Sequence, residues 1–308
     1  MQKPFLEELK FNIPKEDSGK RVDIFLVEHL SGKFSRTFLK SVIIKNLVEL
    51  NNKPVKPHHK VKENDVIVIK IPQKGQLMLE PQDIALDIIY EDDDLLVVNK
   101  PSGLVTHPGA GNMSGTLVNA LLGLGKELSS INELRPGIVH RLDKDTSGVM
   151  VVAKNNTTHL ELAKQFANHS IKRKYIALAS GVVAQDEGLI NLPIARDSYN
   201  RKNMAVRFFK SRPAQTRYKV LKRFKDFTFL ELTPQTGRTH QLRVHLKFIG
   251  HPILGDKKYG RNTKIAISRL ALHAKSLGFF HPAKREFMEF DSHLPEELTE
   301  VMKLYKNT

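Results

Sequence analysis

With 308 residues, 40% of them hydrophobic and 27% charged, the chain has the make-up of an ordinary globular protein with room for one large and one small domain. The complete lack of cysteine excludes disulfides, thiolate zinc sites and cysteine nucleophiles, and suits a cytoplasmic protein. A net charge of +16 favours a polyanionic partner, nucleic acid first and an anionic membrane second. The excess is uneven: residues 171–260 carry 19 basic and 6 acidic side chains, +13 of the total, and residues 1–72 carry 14 and 9. A merely lysine-rich chain would spread it evenly. No basic amphipathic helix supports the membrane reading, and no apolar run reaches about 18 residues. Residues 1–10 mix charges without the apolar core of a secretion signal.

Along the chain, Leu26 and Leu30, then Phe38, Leu39, Val42 and Ile43, recur at helical spacing, with Ser35 where the N-cap of the second helix belongs. Val48 to Asn51 and Val66 to Ile71 are expected strands, completing a small domain over residues 16–72. Its pattern Arg21-x-Asp23, Ser35-Arg36, Val48-x-x-Asn51 and Asp65-Val66-Ile67 resembles the S4 RNA-binding domain. Arg36 and Lys40 would then share a helix face suited to phosphate contacts; the plainer reading is a solvated basic helix. Gly75 and Pro81, in apolar-poor surroundings, mark residues 73–85 as a linker to a second domain over residues 86–304.

In that domain Leu86 to Tyr90 and Leu95 to Asn99 read as a hairpin around the acidic run Glu91 to Asp94. The run is expected to be a turn of solvated carboxylates, because no ligand-spaced partner follows. Leu117 to Leu124 and Leu160 to Phe166 are expected helices; Val149 to Ala153, Tyr175 to Leu178, Tyr218 to Leu221 and Phe227 to Leu232 are expected strands.

The most informative segment is His140-Arg141-Leu142-Asp143-Lys144-Asp145-Thr146-Ser147-Gly148. It sets two carboxylates, two cations, an imidazole and two hydroxyls just ahead of the apolar strand, where a carboxylate needs a partner. By chemistry alone it is a salt-bridged turn or a site. Lys100-Pro101-Ser102-Gly103 with Thr106-His107-Pro108 is a Pro/Gly turn leaving a strand, and Lys172-Arg173-Lys174-Tyr175 enters one. Thr236-Gly237-Arg238-Thr239-His240-Gln241-Leu242-Arg243-Val244-His245 continues to His251-Pro252-Ile253-Leu254-Gly255-Asp256. There Gly237 allows a tight turn, and Thr239 can cap a helix that turns Leu242, Leu246 and Ile249 inward. The spacing of His240, His245 and His251 does not stack ligands on one helix face, so no metal is expected.

With Arg269-Leu270-Ala271-Leu272-His273-Ala274, these segments resemble the motifs of the RluA family of pseudouridine synthases, in order and over nearly the whole chain. Pro193 to Arg196 and Arg201 to Val206 look most like the RluD-type large-subunit rRNA enzymes. The resemblance implies an α+β protein: a small S4-like module, then a catalytic domain on a mixed, mainly antiparallel sheet flanked by helices. It implies Asp143 as nucleophile and Arg243 as its partner, with Arg238 the rival. Tyr175 would lie against the uracil ring as a candidate for proton transfer, and Leu272 would be an apolar wall. Arg141 would fill the space of an extruded uridine or clamp a phosphate, unless it pairs with Asp145; His140 and Arg238 would also contact substrate. Lys144 and Asp145 would serve local structure. No cofactor is implied, since the isomerisation is redox-neutral. The expected partner is RNA, large-subunit rRNA or the pre-50S particle, acted on by a monomer. Two other readings stand beside it: a non-catalytic S4-type RNA-binding assembly factor, and a retaining glycosidase using Asp143 and Asp145, for which a charge of +16 has no use.

Overall fold

A computed structural model describes residues 5–30, 34, 36–72, 79–109, 112–132, 135–201, 203–261 and 263–305. The chain divides into two compact units, Met1–Leu79 and Glu80–Thr308.

In the first unit, β1 (Phe5–Asn12), β2 (Val48–Leu50), β3 (Lys53–Pro54) and β4 (Val66–Pro72) form an antiparallel sheet in the order β1-β4-β2-β3. Helices α1 (Val22–Leu30) and α2 (Arg36–Ile44) contribute Phe25, Leu26, Leu39 and Val42 to a core shared with Ile67, Ile69 and Ile71. Those three isoleucines alternate along β4, so one strand face is buried. β1 corrects the expected start at residue 16: Leu9 and Phe11 alternate with Glu8 and Lys10, and the strand pairs with β4. Ser35, the side chain of Arg36 and residues 73–78 lie outside the described residues, whereas Lys40 is exposed on α2. The expected linker also ends early. Gln82 donates its backbone N–H to the Asn119 carbonyl at 3.0 Å, and Asn119 Nδ2 donates to the Glu80 carbonyl at 2.8 Å.

The second unit comprises, in chain order, β5 (Asp87–Glu91), β6 (Leu95–Lys100), α3 (Leu117–Gly123), β7 (Ser147–Ala153), α4 (Asn156–Ala167), β8 (Lys172–Ser180), β9 (Glu187–Asn191), β10 (Ile194–Arg196), β11 (Met204–Val206), β12 (Gln215–Arg223), β13 (Phe227–Pro234), α5 (Gln241–Phe248), β14 (Leu272–Phe280), β15 (Phe287–Asp291) and α6 (Glu296–Leu304). Its nine-stranded sheet runs β5-β6-β7-β14-β8-β13-β12-β9, with β15 against β14, while β10 and β11 form a hairpin apart. All pairs in the large sheet are antiparallel except β7 with β14.

The unbroken apolar run of β7 follows from burial on both faces. Val149, Val151 and Ala153 pack with Leu95, Val97 and Leu162 of α4; Met150 and Val152 pack with Leu96, Val98 and Leu117 of α3. The parallel join matches Ser147 with His273 and Gly148 with Ala274. Gly148 sits at φ 120°, where an added Cβ would lie 2.2 Å from the Ala274 carbonyl oxygen, so glycine lets the two backbones meet. Ala274 also pairs with Tyr175 of β8. The end of the nonapeptide, Tyr175 and Leu272 are thereby drawn to one place in the sheet.

Candidate active site

The residues before β7 form a loop whose backbone oxygens are held one by one. Thr106 Oγ1 donates to the Leu142 carbonyl at 2.9 Å, the Thr146 N–H to that of Asp143 at 3.1 Å, the Gly103 N–H to that of Lys144 at 2.9 Å, and Ser102 Oγ to that of Asp145 at 2.7 Å. Lys100 reinforces the cradle from within. Its side chain is 0% exposed, and Nζ donates to the carbonyls of Pro101 and Leu104 at 2.8 Å and of Lys144 at 3.2 Å. Burial lowers its pKa to about 7 against the pull of Asp143. The Lys100–His107 segment, a bare turn by sequence chemistry, is therefore the frame that fixes Asp143.

The Asp143 carboxylate, 20% exposed, accepts from Arg243 Nη1 at 3.1 Å. Arg243, on the first turns of α5, also donates Nε and Nη2 to the two oxygens of Asp256 at 2.8 and 2.9 Å. Such a fork fixes the guanidinium plane and leaves Nη1 for Asp143. Burial works against the charge on Arg243, but the two carboxylates outweigh it and raise its pKa. Burial likewise opposes the charge of Asp256, yet Arg243 and the backbone N–H groups of Tyr259 and Lys258 bring its pKa below the ordinary carboxylate range. The Arg243 guanidinium lies over the Tyr259 ring, 5.0 Å from its centroid, and His240 Nε2 stands 3.9 Å from Asp143. Asp256, quoted in the sequence without a role, is thus the buried anchor of the pair. Thirteen residues separate it from Arg243, beyond any helical pattern.

Asp143 and Arg243 open on a cleft of about 640 Å³ lined also by Tyr175, Leu272, Phe166, Arg173 and Gly237. That size suits a small organic group. Burial raises the Tyr175 pKa, so its phenol stays protonated at neutral pH. Gly237 has no positive φ, and a Cβ there would meet the end of the flexible Arg173 side chain at 3.2 Å, so the backbone here does not demand the expected tight glycine turn. His140 stacks on Phe166 at 4.5 Å, and its Nε2 accepts the Val151 N–H at 3.1 Å. Burial, then Arg173, pushes its pKa down to about 3, keeping the ring neutral. Of its polar atoms Nε2 is thus committed to the fold. Arg141 meets His107, not Asp145. His107 Nδ1 bonds to the Pro108 carbonyl at 2.9 Å, which sets the proton there and leaves Nε2 to accept Arg141 Nη1 at 3.3 Å.

Other expectations are revised. Arg238 donates Nε to the Pro213 carbonyl at 3.0 Å, so Arg243 is the partner of Asp143. Thr239 does not cap α5: the preceding residue is His240 at φ 55°, and Gln241 Oε1 instead accepts the Arg238 N–H and the Thr236 hydroxyl. His240, His245 and His251 go separate ways, to Tyr259, to Thr216 and Leu192, and to Ser180. The acidic turn does have a partner. Asp92, Asp94 and His281 bring ligand-type atoms within 4.8 Å, but Asp92 is occupied by Tyr90, His281 and the N–H groups of Asp94 and Leu95. Asp92 and Asp94 are structural hubs, while Glu91 and Asp93 stay exposed as expected.

A carboxylate fixed by an arginine thus faces a cleft that Tyr175, Leu272 and several cations also line. Residues 94–248 match the profile of the RNA pseudouridylate synthase family. The RNA pseudouridine synthase YlyB of Bacillus subtilis (strain 168) is 42% identical over 304 residues, covering 98% of this chain and 100% of that protein. Ribosomal large subunit pseudouridine synthase D of Zymomonas mobilis is 42% identical over 305 residues, 95% of this chain and 96% of that protein. The solved structure of human RNA pseudouridylate synthase domain containing 1 has a TM-score of 0.58 at 26% identity, covering 75% of this chain and 98% of that one. The chain belongs to the RNA pseudouridylate synthase family, and it is an isomerase that converts uridine to pseudouridine in RNA. Among the described residues no helix is long and apolar enough to cross a membrane.

Proposed function

We propose that Asp143 is the nucleophile and that the substrate uridine lies in large-subunit rRNA. The first part rests on one observation: the Asp143 carboxylate is held at 3.1 Å by an arginine that a second, buried carboxylate has already fixed. A nucleophile with no adjacent general base must be ionised and aimed in advance, which this arrangement supplies. In the reaction the N1–C1′ bond breaks and a C5–C1′ bond forms; C5 gives up a proton and N1 gains one, so composition is unchanged. Asp143 attacks at C1′ or at C6. Tyr175 offers a stacking face and a hydroxyl donor, and its raised pKa argues against a phenolate base. Leu272 and Phe166 supply apolar walls that keep the detached base from escaping. Arg141, steadied by His107, takes the space of the extruded uridine or its neighbouring phosphate.

The relatives named ribosomal large subunit pseudouridine synthase D support rRNA as the target. The basic first unit, read as an S4-type module with Arg36 and Lys40 toward phosphates, adds affinity, and a cytoplasmic monomer acting on rRNA or the pre-50S particle suits the composition. The rival assembly-factor reading has no use for the Asp143–Arg243–Asp256 chain. Incubation of the protein with protein-free large-subunit rRNA, followed by pseudouridine mapping, is expected to reveal modification at a few defined uridines. Free uracil in place of pseudouridine, or no change on protein-free rRNA and on the pre-50S particle alike, would overturn the proposal.

A further inference from the structure

Beside the Asp143 cleft, and sharing Gly237, Arg238 and Thr239 with it, lies a second cleft of about 700 Å³. Its cations are Arg196, Arg201, Arg207, Lys210, Arg212 and Arg238, from the β10–β11 hairpin, the chain that follows it and the turn before α5. Among the described residues none of the six makes an ion pair. Arg196, Arg207 and Arg238 instead reach backbone carbonyls, of Arg201, Arg196 and Pro213. The one carboxylate lining the cleft, Asp197, accepts the N–H groups of Tyr199 and Asn200 and so closes the hairpin turn. Asp197 also feels the charge of Arg207, but one carboxylate cannot offset six cations; cations this dense repel one another, and a polyanion relieves that repulsion.

The same stretch carries three aromatic residues turned to solvent: Tyr199 at 100%, Phe208 at 77% and Phe209 at 70% exposure. Phe208 and Phe209 stand between Arg207 and Lys210, and Lys210 Nζ lies 5.4 Å from the Phe209 ring centroid. A phosphate site alone has no need of exposed phenyl rings. Rings interleaved with arginines match an unpaired strand, whose bases offer faces and whose backbone offers charge. A duplex offers only the charge.

Building on the reading of the chain as an RNA-modifying enzyme, we propose that this cleft binds a single-stranded segment of the substrate RNA next to the reacting uridine. The phosphates sit among the arginines, and one or two bases stack on Phe208 and Phe209. The enzyme therefore selects uridines in unpaired stretches, by reading the flank as well as the extruded base.

The test uses the full-length protein, a fluorescein-labelled mixed-sequence single-stranded RNA of about 12 nucleotides and a matching blunt RNA duplex, with binding read by anisotropy. Phe208→Ala with Phe209→Ala is expected to weaken single-strand binding about tenfold or more while leaving duplex binding within about twofold. The paired Phe→Tyr changes, which keep a stacking face, are expected to restore it. Arg201→Gln with Arg207→Gln is expected to weaken both ligands and to flatten the salt dependence of single-strand binding by about 0.7 per lost contact. Lys225→Gln, an exposed change in the β12–β13 turn, is the control for general charge loss. Single-strand binding unchanged in the Phe→Ala variant, or weakened equally for duplex, would overturn the inference. Pseudouridine formation by the unaltered protein on large-subunit rRNA is followed in parallel. Its absence would count against the enzymatic reading itself, whatever the binding arms give.

Discussion

The two adjoining clefts use charge in opposite ways. At Asp143 itself the ions are paired: Arg243 serves Asp143 and Asp256 together, and Asp256 takes two further backbone N–H groups. In the cleft of the β10–β11 hairpin six cations share one carboxylate, Asp197, and among the described residues none of them forms an ion pair. Paired, buried charge cannot be screened or rearranged, so it holds one geometry for chemistry. Unpaired surface charge attracts at a distance and releases easily, which suits a substrate that must arrive, shift register and leave. One region contributes orientation and the other affinity.

The sharpest way to break this contrast is to unbalance the paired site. Arg243→Ala leaves Asp256, whose side chain is 0% exposed, as a buried charge without its partner. Thermal or denaturant unfolding should register a loss of roughly 3–5 kcal/mol, with activity falling to background. Stability unchanged by this variant would mean that Asp256 is not held as described. Perturbing the other region should look different. Arg201→Gln with Arg207→Gln is expected to raise KM about tenfold at moderate salt with kcat within about twofold, since only uniform binding is lost. A fall in kcat at unchanged KM would move those arginines into the chemistry.

A smaller effect probes the rigidity of the first region. His273, 1% exposed, bridges Ser147 and Ser292 at 2.8 Å each, and burial lowers its pKa to about 4. Between that value and the ordinary 6.5, the unfolded chain binds a proton that the folded one refuses. Stability should therefore fall as pH drops through this window, by roughly 1–3 kcal/mol. His273→Gln should flatten that part of the melting-temperature profile. A profile of the same slope in the variant would assign the acid sensitivity to other groups, His140 among them.

Much of the second unit was legible in the sequence because its elements are local. The β7 run, the β5–β6 hairpin and helix α4 follow from apolar spacing and short polar turns. The motif around Asp143 was legible too, through its density of ionisable groups. Its support was not. Lys100 reads as the end of a strand and becomes a buried clamp only because Lys144, 44 residues on, turns a carbonyl toward it. Asp256 and His107 gain their parts through comparable long-range contacts. β1 escaped for the opposite reason: its alternation lies in a short terminal stretch whose charges obscured it. Periodicity encodes which face is buried; it does not encode which distant partner completes a polar group.

The central claim concerns one carboxylate. Asp143→Asn keeps the size and most hydrogen-bonding capacity of the side chain but removes its charge and nucleophilicity. Wild type and variant should be compared on the same large-subunit rRNA, by binding and by pseudouridine mapping. The expected result is binding within a few-fold of wild type and no pseudouridine from the variant. Pseudouridine appearing at the same uridines with the variant would contradict the account.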